Sequence, residues 1–155
     1  MGELIRKSHN VSLLMYHFVF VAKYRRIVID EDVDDVLRDV CIEIEKRFEI
    51  KFLEIGSEGD HIHLLIQSVP MYSPSGIAQK VKSITAREVF SRVPVVKKKL
   101  WGGEFWTDGY FVSTVGEHAN EDVIRLYIQN QGKTGEYRQL HKAKYVSEQL
   151  SLFGN

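Results

Sequence analysis

Val11 to Ala22 is a run rich in β-branched and aromatic residues, too apolar for a strand with one wet face, and it predicts a central strand. From Asp30 to Phe48 the period changes. Val33, Val36, Leu37, Val40, Ile44 and Phe48 recur at helical spacing with acids between them, which predicts an amphipathic helix. Ile50 to Gly56 and His61 to Val69 predict two short strands, joined through Ser57, Glu58, Gly59 and Asp60 by hairpin turn chemistry. Ser73 followed by Pro74 gives a cap and a first-turn proline to a second, basic helix with an apolar stripe of Ile77, Val81 and Ile84. Trp101 to Gly116, with glycines among aromatics, predicts a loop leading into a fourth strand near Tyr110 to Val115. Asn120 caps a third helix with Glu121 and Asp122 in its first turn and Gly132 at its end. This order predicts an α+β fold: a ferredoxin-like βαββαβ antiparallel sheet covered on one face by two helices, with an added C-terminal helix. Residues 1–133 are expected to form one domain. Residues 134–155 are polar and expected to be an irregular or extended arm.

Composition narrows the chemistry. The 155 residues contain one cysteine, Cys41, so a disulfide framework is excluded and any metal site must use His, carboxylate or amide oxygen. No apolar run approaches the ~20 residues of a spanning helix, and the start lacks the order of a signal peptide, so a cytoplasmic protein with no membrane partner is expected. The formal charge is zero but unevenly spread. Asp30 to Asp60 holds twelve acids and four bases, whereas Gln79 to Leu100 holds seven bases and Glu88 alone. Lys23, Arg25 and Arg26 add a further basic group. The pattern fits either solvated helix faces or one face that meets a polyanion.

Within His61-Ile62-His63 the alternation of strand side chains sends both imidazoles to one side, and Ile62, Leu64 and Ile66 to the other, toward the core. Two histidines on an open sheet face leave a divalent ion short of ligands. The same spacing also describes two half-exposed histidines stacked on their neighbours. Tyr127 and Gln131 lie four residues apart on one face of the third helix, which suits either an amphipathic boundary or a hard amide ligand with a tyrosine one turn away. A phenol with a pKa of about 10 is ionised roughly once in a thousand at neutral pH, so its attack on phosphorus needs a cation's help.

Gly59-Asp60-His61-Ile62-His63-Leu64-Leu65, preceded by Lys23-Tyr24-Arg25-Arg26 and followed by Trp106-x-x-Gly109-Tyr110-Phe111 and Tyr127-Ile128-x-x-Gln131, resembles the HUH single-tyrosine transposases of the smallest bacterial insertion sequences. The likeness covers roughly residues 10 to 133. It implies that His61, His63 and Gln131 bind Mg or Mn and that Tyr127 is the nucleophile, forming a 5′-phosphotyrosine. It further implies a homodimer in which the Tyr127 helix acts in trans, and substrates that are single-stranded DNA ends folded into hairpins. On this resemblance Lys23, Arg25, Arg26, Lys80, Lys82 and Arg87 are the candidate phosphate contacts. Tyr24, Trp101 and Trp106 are candidates for stacking on bases or for ordinary packing.

Gln149-Leu150-Ser151-Leu152-Phe153, near the end of the polar arm, is similar to the peptides that dock bacterial proteins onto the replication sliding clamp. Two alternatives share these patterns. One is a domesticated relative acting on chromosomal hairpin repeats; the other is a non-catalytic single-stranded nucleic-acid-binding dimer.

Overall fold

The computed structural model describes residues 4–101, 103–115 and 137–143. A short hairpin, β1 (Ile5–Arg6) and β2 (Val11–Ser12), precedes the main sheet. The apolar run expected as one strand is thereby divided, because Leu13 breaks the pairing before β3 (Leu14–Val21) begins. Then follow α1 (Glu31–Arg47), β4 (Lys51–Glu58), β5 (His61–Ser68), α2 (Pro74–Arg92), a short α3 (Val95–Leu100), β6 (Phe111–Thr114) and β7 (Arg138–Lys142).

Ser73 caps its helix as expected, Asp30 caps α1 as well, and Asn120 with the helix it was expected to cap lies outside the described residues. The Asp30 carboxylate accepts from the Val33 amide at 3.0 Å, and the Ser73 hydroxyl from the Gly76 amide at 3.0 Å, so each helix has one of its orphan donors satisfied. The main sheet runs β6-β3-β5-β4-β7, antiparallel throughout. Its first four strands are the split βαβ arrangement. The stretch after Lys133, expected as an irregular or extended arm, supplies the edge strand β7 on β4. Arg138 fastens that strand to α1: its guanidinium donates to Asp34 Oδ2 at 2.6 Å and to the Ile29 carbonyl at 2.7 Å.

Val33, Leu37, Val40 and Ile44 of α1, with Ile77, Ala78, Val81 and Val89 of α2, pack on Phe18, Phe20, Ile55, Ile62, Leu64 and Ile66. Fully burying each of the large aliphatic or aromatic side chains is worth about 1.5–3 kcal/mol, which makes this layer the main stabilising unit. The opposite sheet face carries a smaller cluster, Met15, Leu53 and Leu65, with Val115 and Tyr137 against it. A bulge between Phe52 and Glu54 inserts one residue into β4 and resets which side chains reach that second face.

Candidate metal centre

β5 is the central rail of the site. Its alternation puts Ile62, Leu64 and Ile66 among the helices and His61 and His63 on the other face, as the sequence predicts. That face is not open here: His61 is 2% exposed and His63 0%. The imidazoles meet edge to face with centroids 4.7 Å apart. Tyr137, just before β7, brings its ring within 5.7 Å of His63 and donates its hydroxyl to Glu54 Oε2 at 2.5 Å. Burial and then the Glu54 charge push the Tyr137 phenol far above its ordinary range, so it acts here as a donor and not as a phenolate.

The pairing of β4 with β5 brings up a third candidate ligand, Glu58, from a position expected in the turn. Glu58 is still in the strand, directly across from His61, and the turn is only Gly59 and Asp60. Glu58 Oε2 lies 2.7 Å from His61 Nε2 and 3.1 Å from His63 Nε2, so both imidazoles aim at one carboxylate oxygen. Asp60 Oδ1 takes the other side of His61, 2.6 Å from Nδ1. Glu58, His61 and His63 are the group of candidate metal-ligating side chains among the described residues, with donor atoms all within 4.8 Å of one another. The signal that could have found Glu58 is the Glu-x-x-His-x-His spacing, once the turn is taken as two residues.

The electrostatics follow from this geometry. Burial raises the Glu58 pKa, but the hydrogen bonds and charge of His61 and His63 outweigh it and hold the carboxyl at about 2. Burial lowers His61, yet Asp60 and Glu58 together leave it raised. His63 is drawn down to about 4, by burial first and by the neighbouring His61 charge against the Glu58 hydrogen bond. One imidazole is therefore proton-loving and the other neutral at pH 7.

The donor set fits a hard or borderline divalent ion. Octahedral coordination with bonds of about 2.1 Å places adjacent ligand atoms about 3.0 Å apart, and the two Nε2–Oε2 separations, 2.7 and 3.1 Å, bracket that edge. The Asp60 contact fixes the His61 tautomer in the manner common to metal-bound imidazoles. Tyr127 and Gln131, and the peptide Gln149, Leu150, Leu152 and Phe153, lie outside the described residues.

The basic candidates separate into two kinds. Lys82 donates to the carbonyls of Thr107, Asp108 and Gly109 at 2.6, 3.0 and 3.3 Å and so ties α2 to the following loop. Lys23 pairs with Glu104 at 2.6 Å, and Lys80 lies over the Phe48 and Tyr72 rings. Arg25, Arg26 and Arg87 are less engaged, and Arg25 and Arg26 form no ion pair among the described residues. Of the aromatics, Trp106 is a core residue, 5% exposed, whose indole donates to Thr85 Oγ1 at 2.9 Å. Tyr24 and Trp101 are exposed.

Residues 10–131 match the family described as transposase, IS200 like. The chain is 32% identical over 129 residues to the ISDra2 transposase TnpA of Deinococcus radiodurans, covering 83% of this chain and 91% of that one. It is 31% identical over 135 residues to the transposase for insertion sequence element IS200 of Salmonella typhimurium, covering 84% and 85%. In structure it resembles a Deinococcus radiodurans R1 transposase with a TM-score of 0.74 at 31% identity, over 82% of this chain and 97% of that one. A tyrosine transposase bound to a REP hairpin shares the fold, at 12% identity and a TM-score of 0.50 over 83% and 68%. The histidine pair on β5, the antiparallel sheet that carries it and the extent of these matches agree: the chain belongs to the IS200-like transposase family.

Proposed function

We propose that this chain is a metal-dependent strand transferase that cleaves and rejoins single-stranded DNA at hairpin-containing element ends. The observation that carries the reading is the convergence of His61 Nε2 and His63 Nε2 on Glu58 Oε2, with Asp60 steering His61 from behind. Mg or Mn held there, with the Gln131 amide oxygen added, would polarise the scissile phosphate and steady the departing 3′ oxygen. His63, neutral at pH 7, offers its lone pair without first losing a proton. His61, raised by its carboxylate neighbours, gives up a proton when a cation takes its place, so binding tightens with pH.

Tyr127 is the proposed nucleophile. Its phenolic oxygen bonds to phosphorus as it loses its proton, the bond from phosphorus to the 3′ oxygen breaks, and that oxygen takes a proton to leave a free 3′-OH. The phosphotyrosine keeps the energy of the broken bond, so a second 3′-OH can reverse the step and join new strands. In the proposed homodimer the Tyr127 of one protomer serves the histidines of the other.

The test uses labelled single-stranded hairpin DNA from the flanks of the gene, with Mg or Mn. A protein-linked band is expected, absent in Tyr127→Phe and in EDTA. Mixing Tyr127→Phe with His61→Ala protein restores the band if the tyrosine acts in trans. Equal binding by parent and Tyr127→Phe with no adduct on any flanking strand would instead identify a non-catalytic binder.

A further inference from the structure

Three non-glycine residues among those described have positive φ: Tyr24 at 59°, Arg25 at 52° and Trp101 at 53°. L side chains adopt this left-handed conformation at a cost that glycine avoids. All three belong to two segments that meet on one surface, since the Arg26 guanidinium lies 4.8 Å over the Trp101 ring. Tyr24 is 62% exposed and Trp101 78%, so neither ring is there to fill the core. The cations around them are largely unspent. Arg25 and Arg26 enter no ion pair among the described residues, and Lys98 and Lys99, exposed in the last turn before Trp101, enter none either.

The backbone joins this surface to the metal centre. The Ala22 amide donates to the Asp60 carbonyl at 2.7 Å and the Ile29 amide to the Gly59 carbonyl at 2.9 Å, so the 23–28 segment leaves and rejoins the turn that sets up His61. On its other side the Lys23 amide donates to the Phe105 carbonyl at 2.8 Å. Exposed aromatic rings, a guanidinium stacked on one of them and neighbouring cations that form no ion pair among the described residues match an unpaired polyanionic strand. Bases would stack on the rings while phosphates meet the arginines.

We propose that Tyr24, Arg26 and Trp101 form a stacking platform that holds unpaired bases of the DNA beside the His61–His63 centre. The proposal rests on the reading of this chain as an enzyme of single-stranded DNA and decides, for Tyr24 and Trp101, between the stacking and packing roles the sequence left open. The left-handed backbone at Tyr24 and Trp101 is the cost of presenting the two rings at a fixed angle.

The experiment titrates the full-length protein with a short homothymidine oligonucleotide and follows tryptophan emission, with the adduct assay run in parallel. Stacking on Trp101 quenches emission in the parent, and the quench disappears in Trp101→Gly. Trp101→Gly and Tyr24→Gly are expected to bind roughly ten- to a hundredfold more weakly, while their Tm stays level or rises because glycine relieves the positive φ. Arg26→Gln leaves the backbone alone and is expected to flatten the slope of log affinity against log salt by about 0.7. If the parent binds DNA and forms the adduct but all three variants bind as tightly, the platform is wrong and the strand-transfer reading stands. If the parent neither binds unpaired DNA nor forms an adduct, both fall. Variants that change only self-association would make the surface a protein contact and overturn the proposal.

Discussion

Gly56 is the point where the site's support can be broken by a single methyl group. It sits on β4 directly opposite His63, and the Tyr137 ring lies over it: a Cβ built on Gly56 would fall 2.1 Å from Tyr137 Cε1 and from its hydroxyl oxygen. Ordinary contact begins near 3.4 Å, so in Gly56→Ala the ring must retreat by more than an ångström. A hydrogen bond of 2.5 Å to the buried Glu54 carboxylate does not survive such a shift. Overpacking costs about 1–3 kcal/mol and loss of a hydrogen bond to a charged group about 1.5–3 kcal/mol. We therefore expect Gly56→Ala to lose about 3–5 kcal/mol in urea denaturation. Manganese affinity, measured by calorimetry on the fraction that remains folded, should fall with it because Tyr137 also packs on His63. Pairing the change with Tyr137→Ala isolates the cause. Once the ring is gone the added methyl has room, so the double variant should be little less stable than Tyr137→Ala alone. Full additivity, or a Gly56→Ala protein as stable as the parent, would refute this account of how β7 closes the site.

Two other outcomes follow from the same layer. Asp60→Asn keeps the size of the group that steers His61 but removes its charge, and it should weaken manganese binding about 10- to 100-fold with little change in fold; unchanged affinity by calorimetry would show that His61 needs no steering. His17 is buried on the same sheet face with neither ring nitrogen hydrogen-bonded among the described residues, and burial, then the charge of His63, draws its pKa down to about 4. Its unfolded value is near 6.5, so the unfolded chain takes up the proton first. The stability tied to neutral His17 is therefore present above pH 6.5 and is lost as the pH falls toward 4. His17→Leu should thus gain on the parent by about 2 kcal/mol more at pH 5 than at pH 8, read from paired denaturation curves, and a pH-independent difference would contradict it.

Where local chemistry decides, the sequence was sufficient. Ser73 caps the helix it was expected to cap, because a side-chain oxygen at an N-terminus needs only its own next turn. His61 and His63 share a face because alternation is a property of any strand. From these the βαββ order, the sheet and the histidine pair could be read directly, and the resemblance of the motifs pointed to the family the comparisons found. Tertiary structure decided what depends on distant partners. Glu58 becomes a candidate ligand only because β4 runs two residues further than its turn-like composition suggests, which pairing with β5 enforces. The sheet face expected to be open is closed at His63 by Tyr137, which lies far along the chain from the strands it packs against. Trp101 and Trp106 are five positions apart and chemically alike, yet one stands in solvent under Arg26 and the other bonds Thr85 in the core. Propensity and period act over a few residues, whereas burial is set by whichever segment arrives on the other side.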